Sequence, residues 1–240
     1  MKKLNLSDLK IKIFADGADL KSIQLLTRNK LIKGFTTNPT LMRKAGVKNY
    51  EQFAIDLLKI VPEFPISFEV FADEEKEIER QAIKISKWGK NVNVKIPITN
   101  TKGVSLIPII EKLSNNGIQL NITAMLTTEQ VRETCKVLNK KIYNIVSVFA
   151  GRIADTGIDP LPIMKECVNI TSKLPNTHLL WASPRQAFNI IEANNIGCGI
   201  ITITPELLSK AQNFNKDLDI LSLETVKMFY NDAKKAGYKI

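Results

Sequence analysis

The sequence has 240 residues, a formal net charge of +10, 44% hydrophobic residues and 24% charged residues, values typical of one soluble globular domain. No apolar run reaches the roughly 18 residues that a membrane span needs, and the N-terminus carries no signal-peptide core, so we expect a cytoplasmic protein that meets no membrane. Cys135, Cys167 and Cys198 show no CxxC spacing, which favours free thiols over a disulfide framework or a zinc site.

Eight short apolar runs rich in β-branched residues are predicted to be strands. In chain order they are Ile11–Asp16, Ile32–Asn38, Ile66–Phe71, Val92–Pro97, Ile118–Met125, Ile142–Phe149, His178–Ser183 and Ile196–Thr204. Stretches with helical periodicity lie between them, including Asp19–Asn29, Tyr50–Val61, Glu74–Trp88 opened by Asp73, and Val131–Leu138 behind a Thr127/Gln130 capping box. Thr204 and Pro205 cap a further helix, and Ser222 and Glu224 start a final amphipathic helix through Ala233.

Strands that alternate with helices indicate a parallel sheet, because parallel neighbours need a crossover connection. Eight such repeats close a (β/α)8 TIM barrel, an α/β fold that we expect to form one domain over residues 1–240, with a C-terminal amphipathic helix. The competing open, doubly wound sheet usually carries a glycine-rich loop after its first strand. The segment Asp16–Asp19 has no GxGxxG pattern, which favours the barrel.

Polar residues stand where the predicted strands end, which is where barrel enzymes place their chemistry. They are Asp16, Thr36 to Asn38, Glu69, Lys95, Asn121, Thr123, Ser147, Arg152, Ser183 and Arg185. Structural explanations remain open for several of them. Asn38 and Ser183 each precede a proline and could be helix N-caps, and the two arginines could form surface ion pairs.

Glu69 and Lys95 are the hardest of these residues to explain as structural, because each interrupts an apolar strand. A buried charge is costly unless it is paired, so an inward Glu–Lys pair is either structural or retained for a role. A lysine in a low-dielectric site loses its proton more readily and then attacks carbonyl groups. Two nearby arginines could grip a phosphate. No cluster suited to a metal stands out, and this set of groups fits carbon–carbon bond chemistry on phosphosugars without metal or cofactor.

Seven segments, in order and spacing from about residue 11 to residue 210, resemble the transaldolase family. They are Phe14–Ala18, Gly34–Leu41 with its TTNP sequence, Ser67–Val70, Val94–Pro97 with its VKIP sequence, Asn121–Thr123, Ser147–Ile153 and Ala182–Arg185. The chain departs from the family at Gly17 and Asp19, where members often have Thr and Asn, and at Val148 and Ala150, where they often have Pro and Val. Neither departure removes a matched functional residue.

The resemblance implies a transfer of a dihydroxyacetone unit between sugar phosphates, a reaction of the pentose phosphate pathway, without a cofactor. It makes Lys95 the Schiff-base lysine, Asp16 the acid/base of carbon–carbon cleavage, and Glu69 with Thr123 the pair that positions a catalytic water. Substrate contacts are implied for the remaining matched residues. By this resemblance Asn38 and Asn121 would bind the hydroxyls of dihydroxyacetone, Ser147 and Phe149 would make further substrate contacts, and Arg152, Ser183 and Arg185 would form the phosphate site. Family members also form homo-oligomers, so the resemblance implies a homo-oligomer here.

Two other functions remain as alternatives. A fructose-6-phosphate aldolase has the same fold and lysine and releases free dihydroxyacetone, but that branch of the family tends to carry Gln and Tyr at the positions of Glu69 and Phe149. A non-catalytic barrel that binds RNA or a protein is more distant. Its mark would be a contiguous basic face, whereas the basic residues here are scattered, as on a solvated surface. We therefore expect no nucleic-acid partner.

Overall fold

The computed structural model describes residues 5–240 and contains a closed barrel of eight parallel strands. The strands are β1 (Lys12–Asp16), β2 (Ile32–Thr36), β3 (Ile66–Glu69), β4 (Val92–Pro97), β5 (Leu120–Met125), β6 (Asn144–Val148), β7 (Thr177–Trp181) and β8 (Ile200–Ile203). Each strand pairs with the next in sequence, and β8 pairs with β1. The predicted (β/α)8 barrel is confirmed. The first four residues of the predicted 1–240 domain lie outside the described residues.

Helices surround the barrel; most of them connect successive strands, and the last two follow β8. They are α1 (Leu20–Leu26), α2 (Pro39–Lys44), α3 (Tyr50–Ile60), α4 (Glu75–Ser86), α5 (Ile107–Asn115), α6 (Thr128–Val137), α7 (Ala150–Ala154), α8 (Pro160–Thr171), α9 (Asn189–Asn195), α10 (Pro205–Lys210) and α11 (Leu218–Ala236). Short 3₁₀ turns occupy Leu6–Asp8 and Ala211–Asn213. Among the described residues, no helix is both long and apolar enough to cross a membrane.

The helix caps agree with the sequence at some positions and correct it at others. Thr127 and Gln130 form the predicted capping box of α6, and Thr204 caps α10. Asp73 does not cap α4, because its carboxylate accepts hydrogen bonds from the backbone and hydroxyl of Thr101 instead. The final helix begins four residues before Ser222, because Asp217 accepts from two backbone N–H groups and starts α11 there.

Two apolar regions stabilise the barrel. The larger one lies between the strands and the helices and contains the free, buried thiols of all three cysteines. The smaller one fills the interior of the barrel and includes Phe14, Ile145, Leu180 and Ile200. The ring of Phe14 lies against Gly34 on β2, where a Cβ atom would come within 2.5 Å of the ring. These side chains pack the interior of the barrel beneath its C-terminal mouth, the end at which barrel enzymes bind their ligands.

Candidate active site

A cavity of about 460 Å³ opens at the C-terminal ends of the strands and brings together ten of the eleven predicted site residues. They are Asp16, Asn38, Glu69, Lys95, Asn121, Thr123, Ser147, Phe149, Arg152 and Ser183. Arg185 is the one that does not line it. These residues come from seven of the eight strands and the segments that follow them, so the closed barrel is what makes them neighbours.

Lys95 and Glu69 form an ion pair inside this cavity. They occupy paired positions on β4 and β3, so their side chains project the same way from adjacent strands. Nζ of Lys95 lies 3.0 Å from Oε2 of Glu69 and donates a hydrogen bond to the carbonyl of Thr37 at 3.2 Å. Lys95 is only 8% exposed. The lysine is thus largely buried, and its nitrogen lies within hydrogen-bonding distance of the Glu69 carboxylate.

Asp16 is a buried carboxyl group on the other side of the same cavity. Its Oδ1 accepts from the hydroxyl of Thr36 at 2.9 Å, and its Oδ2 accepts from Nδ2 of Asn38 at 3.1 Å. Burial raises the pKa of Asp16, while the charge of Lys95 and these two hydrogen bonds partly offset that rise. A carboxyl group with a raised pKa is better matched to proton transfer near neutral pH than an ordinary aspartate.

Asn38 has two roles that follow from its place between β2 and α2. Its Oδ1 accepts the backbone N–H of Leu41 at 2.9 Å, so it is the helix N-cap that the sequence suggested. Its Nδ2 is left to donate to Asp16. The cap thereby fixes the amide so that its donor points into the cavity.

A line of hydrogen bonds fixes the amide of Asn121. Its Nδ2 donates to Oγ of Ser67 at 2.9 Å, and its Oδ1 accepts from Oγ of Ser147 at 2.7 Å. Next to this line, the hydroxyl of Thr123 is buried and has no hydrogen-bond partner in the described part of the chain. Buried hydroxyl groups are normally satisfied, so the Thr123 hydroxyl is available to a bound water or substrate group.

The basic side of the cavity is built on α7 and the loop after β7. The guanidinium of Arg152 lies over the ring of Phe149, with 5.4 Å to the ring centroid. Ser183 does not cap a helix, since it has a left-handed backbone (φ of 59°) and α9 starts only at Asn189. Arg185 pairs with Asp155 outside the cavity and lines an adjacent pocket of about 180 Å³.

Sequence reasoning assigned no role to three polar residues of this region. Thr36 donates to Asp16 and shares a short hydrogen bond with the hydroxyl of Thr202 on β8, and Ser67 supports Asn121. Thr36 was among the polar residues noted at the strand ends. Ser67 and Thr202 interrupt apolar strands, as Glu69 and Lys95 do, and that pattern is the signal that could have identified them. Among the described residues, no group of three or more His, Cys, Asp or Glu side chains could hold a metal ion.

These features define a (β/α)8 barrel whose mouth contains a buried lysine, two carboxyl groups and an arginine. The family model described as transaldolase/fructose-6-phosphate aldolase matches residues 13–240. A probable transaldolase from Dehalococcoides mccartyi is 32% identical over 199 residues, which cover 82% of this chain and 88% of that relative. One from Thermoanaerobacter is 29% identical over 96% of this chain and all of the relative. The chain belongs to the transaldolase/fructose-6-phosphate aldolase family.

Similar solved structures support the fold, and they give no information about the function. A putative lyase/mutase from Burkholderia cenocepacia superposes with a TM-score of 0.61 at 10% identity, covering 97% of this chain and 86% of that one. A truncated 3-deoxy-D-arabino-heptulosonate 7-phosphate synthase from Thermotoga maritima gives a TM-score of 0.52 at 15% identity, over 99% of this chain and 94% of that one. At such identities the likeness concerns the barrel alone.

Proposed function

We propose that the protein is a transaldolase that transfers a dihydroxyacetone unit from a ketose phosphate to an aldose phosphate through a Schiff base on Lys95. The pair formed by buried Lys95 and Glu69, facing Asp16 across one cavity, is the observation that carries this proposal. The reaction is fructose 6-phosphate plus erythrose 4-phosphate to sedoheptulose 7-phosphate plus glyceraldehyde 3-phosphate, in the pentose phosphate pathway. It needs no cofactor, because the lysine itself provides the electron sink.

The first stage forms the covalent intermediate. Lys95 transfers its proton to Glu69 at 3.0 Å, and the neutral amine attacks the C2 ketone to give a carbinolamine. A water held by Glu69 and the unpartnered hydroxyl of Thr123 carries the protons that let hydroxide leave as water. The product of this stage is an iminium ion plus one water molecule.

The second stage breaks the C3–C4 bond. Ionised Asp16 removes the proton of the C4 hydroxyl, the C4 oxygen becomes the carbonyl of the departing aldose phosphate, and the bonding electron pair moves into the iminium to give an enamine. Asp16 is held for this by Thr36 and Asn38. The enamine then attacks the aldehyde of a second aldose phosphate, Asp16 returns its proton, and hydrolysis releases the new ketose.

The remaining site residues bind and orient the substrate. Asn38, Asn121 and Ser147 offer hydroxyl and amide groups near Lys95 to the hydroxyls of the three-carbon unit. Arg152, Ser183 and Arg185 are proposed to bind the phosphate at the basic side of the cavity. A phosphate gripped far from the reacting carbons converts binding energy into orientation.

Fructose-6-phosphate aldolase is the second candidate, and family membership alone does not separate the two. Both reactions share every step up to the enamine, which the aldolase protonates and releases as dihydroxyacetone. Glu69 and Phe149 favour the transaldolase, because the aldolase branch tends to have Gln and Tyr at these positions. Dependence of turnover on an acceptor aldose distinguishes the two reactions.

The Schiff base is tested by reductive trapping. Incubation with fructose 6-phosphate and borohydride should add a reduced three-carbon or six-carbon adduct to the peptide that contains Lys95, as read by mass spectrometry. The variant Lys95→Met should take up no adduct, while Lys90→Met, which removes an exposed lysine before the same strand, should label as the wild type does. Labelling of Lys95→Met, or no labelling of the wild type, would refute the assignment.

A further inference from the structure

Asp155 holds the side chain of Arg185 away from the cavity that the other site residues line. Nε of Arg185 donates to Oδ1 of Asp155 at 2.9 Å, and a terminal nitrogen pairs with Oδ2. The planar fork of a guanidinium matches a carboxylate and a phosphate equally well in geometry. In this structure the fork of Arg185 is therefore occupied by a carboxylate of its own chain.

The backbone around Arg185 keeps it within reach of the cavity. Ser183 lines the cavity and lies two residues away, so their Cα atoms are at most about 7.6 Å apart. The carbonyl oxygen of Ser183 lies against Gly151, where a Cβ atom would come within 1.6 Å of it. Oδ1 of Asn189 accepts the backbone N–H of Arg185 at 2.8 Å. The loop is thus fixed, and only the side chain of Arg185 has to turn.

Arg152 provides the second cation of this region and makes no ion pair within the described part of the chain. The hydrogen bonds from Arg185 are the main reason that the pKa of Asp155 lies below its usual range, and the charge of Arg152 lowers that pKa further. Among residues 5–240, Asp155 is therefore the one acid that pairs with either of these two arginines. A phosphate dianion that enters beside Arg152 offers Arg185 more charge and more acceptor oxygens than Asp155 does.

The pair that would have to break is weak because water reaches it. The side chains of Arg185 and Asp155 are 46% and 52% exposed, and ion pairs of that exposure contribute little to stability. A weak internal competitor lowers the apparent affinity by the fraction of molecules in which the arginine is free, without preventing binding.

We propose that Asp155 sets the phosphate affinity of this site by competing with the phosphate group of the substrate for Arg185. The inference rests on the proposed function, which supplies a phosphate as the ligand of Arg152, Ser183 and Arg185. In the free protein Asp155 holds Arg185 outside the cavity, and bound phosphate draws Arg185 inward. When the product leaves, Asp155 takes Arg185 back, so the carboxylate speeds release at the expense of affinity.

The test measures the dissociation constant of inorganic phosphate by calorimetry at fixed ionic strength. Asp155→Asn and Asp155→Ala should each bind phosphate about fivefold more tightly, the factor expected when an exposed pair is removed. Glu166→Gln removes the carboxylate from another exposed pair, with Arg132, and should bind phosphate as the wild type does. In an Arg185→Ala background, Asp155→Asn should change nothing.

Three results would overturn the proposal. Unchanged or weaker binding in both Asp155 variants would mean that Asp155 does not compete with phosphate. An equal gain in the Arg185→Ala background would mean that Asp155 acts only through its charge. Absence of phosphate binding in the wild type and both variants would show that phosphate is not a ligand of this site. This experiment measures phosphate binding and no turnover. Its result therefore stands even if the protein does not catalyse the proposed reaction, and a negative result here does not contradict acceptor-dependent turnover.

Discussion

Asp16 combines a burial cost with a proposed catalytic role. The pKa of its carboxyl group is raised mainly by burial, so the folded state holds the proton more tightly than the unfolded chain does. The stabilising contribution is therefore complete below the ordinary aspartate pKa and is lost as the pH rises through the raised pKa of the folded state. Ionisation of Asp16 therefore lowers the stability of the fold, and the proposed function requires the ionised form.

Replacing Asp16 with Asn should separate these two effects. The variant stays neutral at every pH, so its midpoint of urea unfolding should exceed that of the wild type at pH 7.5 and should approach it near pH 3.5. Turnover should fall about 10²- to 10⁴-fold, the range for loss of a general base. Loss of turnover without any gain in stability at pH 7.5 would contradict the burial argument.

At the scale of elements, the contact between α7 and the loop after β7 shapes the basic side of the cavity. Gly151 on α7 meets the carbonyl oxygen of Ser183, and an added Cβ atom would lie 1.6 Å from that oxygen. The atoms in this contact belong to the backbone rather than to the end of a flexible side chain, so in the variant one of the two backbone segments has to move. Either movement displaces Arg152 or Ser183, which line the cavity together.

The variant Gly151→Ala is expected to lose about 1–3 kcal/mol of unfolding free energy, the usual cost of overpacking. Its KM for phosphorylated substrates should rise more than its kcat falls, because the displaced groups are those proposed to hold the phosphate. Gly17→Ala is the matched control for stability, since no atom lies within 4 Å of its added Cβ. Equal stability and equal KM in Gly151→Ala and the wild type would disprove this account of the contact.

The existence of the elements was predictable, and their ends were less so. All eight strands were found, because buried parallel strands are nearly continuous apolar runs. The last one was predicted from Ile196, but β8 starts at Ile200, since Gly197 with φ of 82° still belongs to the turn after α9. Strand ends depend on pairing with neighbours, which a single sequence does not display.

The same distinction applies to the site. Glu69 and Lys95 could be predicted because each breaks an apolar run within its own strand. The pairing of Arg185 with Asp155 could not, because it joins residues thirty positions apart where helix α7 meets the loop after β7 at Gly151. Whether Arg185 lines the cavity depends on the conformation of its side chain, which local sequence patterns do not determine.

For the whole molecule, the outstanding feature is the exposure of α11. None of its residues is buried, although Ile220, Leu223, Val226, Phe229 and Tyr230 recur at intervals of three and four and are all more than half exposed. A contiguous exposed apolar surface of this kind marks an interaction site. We therefore expect the homo-oligomer implied by the family resemblance, with α11 in the contact between subunits.

Light scattering after size-exclusion chromatography tests this expectation. The wild type should elute as an oligomer at micromolar concentration, and Val226→Glu combined with Phe229→Glu should release monomers. The variant Lys227→Glu changes the charge of the same helix outside the apolar positions and should leave the assembly as it is. A monomeric wild type, or a double variant that assembles normally, would show that α11 does not form a contact between subunits.

The most direct test of the central claim follows glyceraldehyde 3-phosphate through a coupled dehydrogenase, with fructose 6-phosphate as the donor. The account predicts sustained product formation only when erythrose 4-phosphate is present, because the enamine on Lys95 waits for an acceptor. Sustained turnover without the acceptor would contradict the transaldolase assignment and establish release of dihydroxyacetone. No product under either condition, from a folded protein, would contradict the proposed chemistry of the cavity altogether.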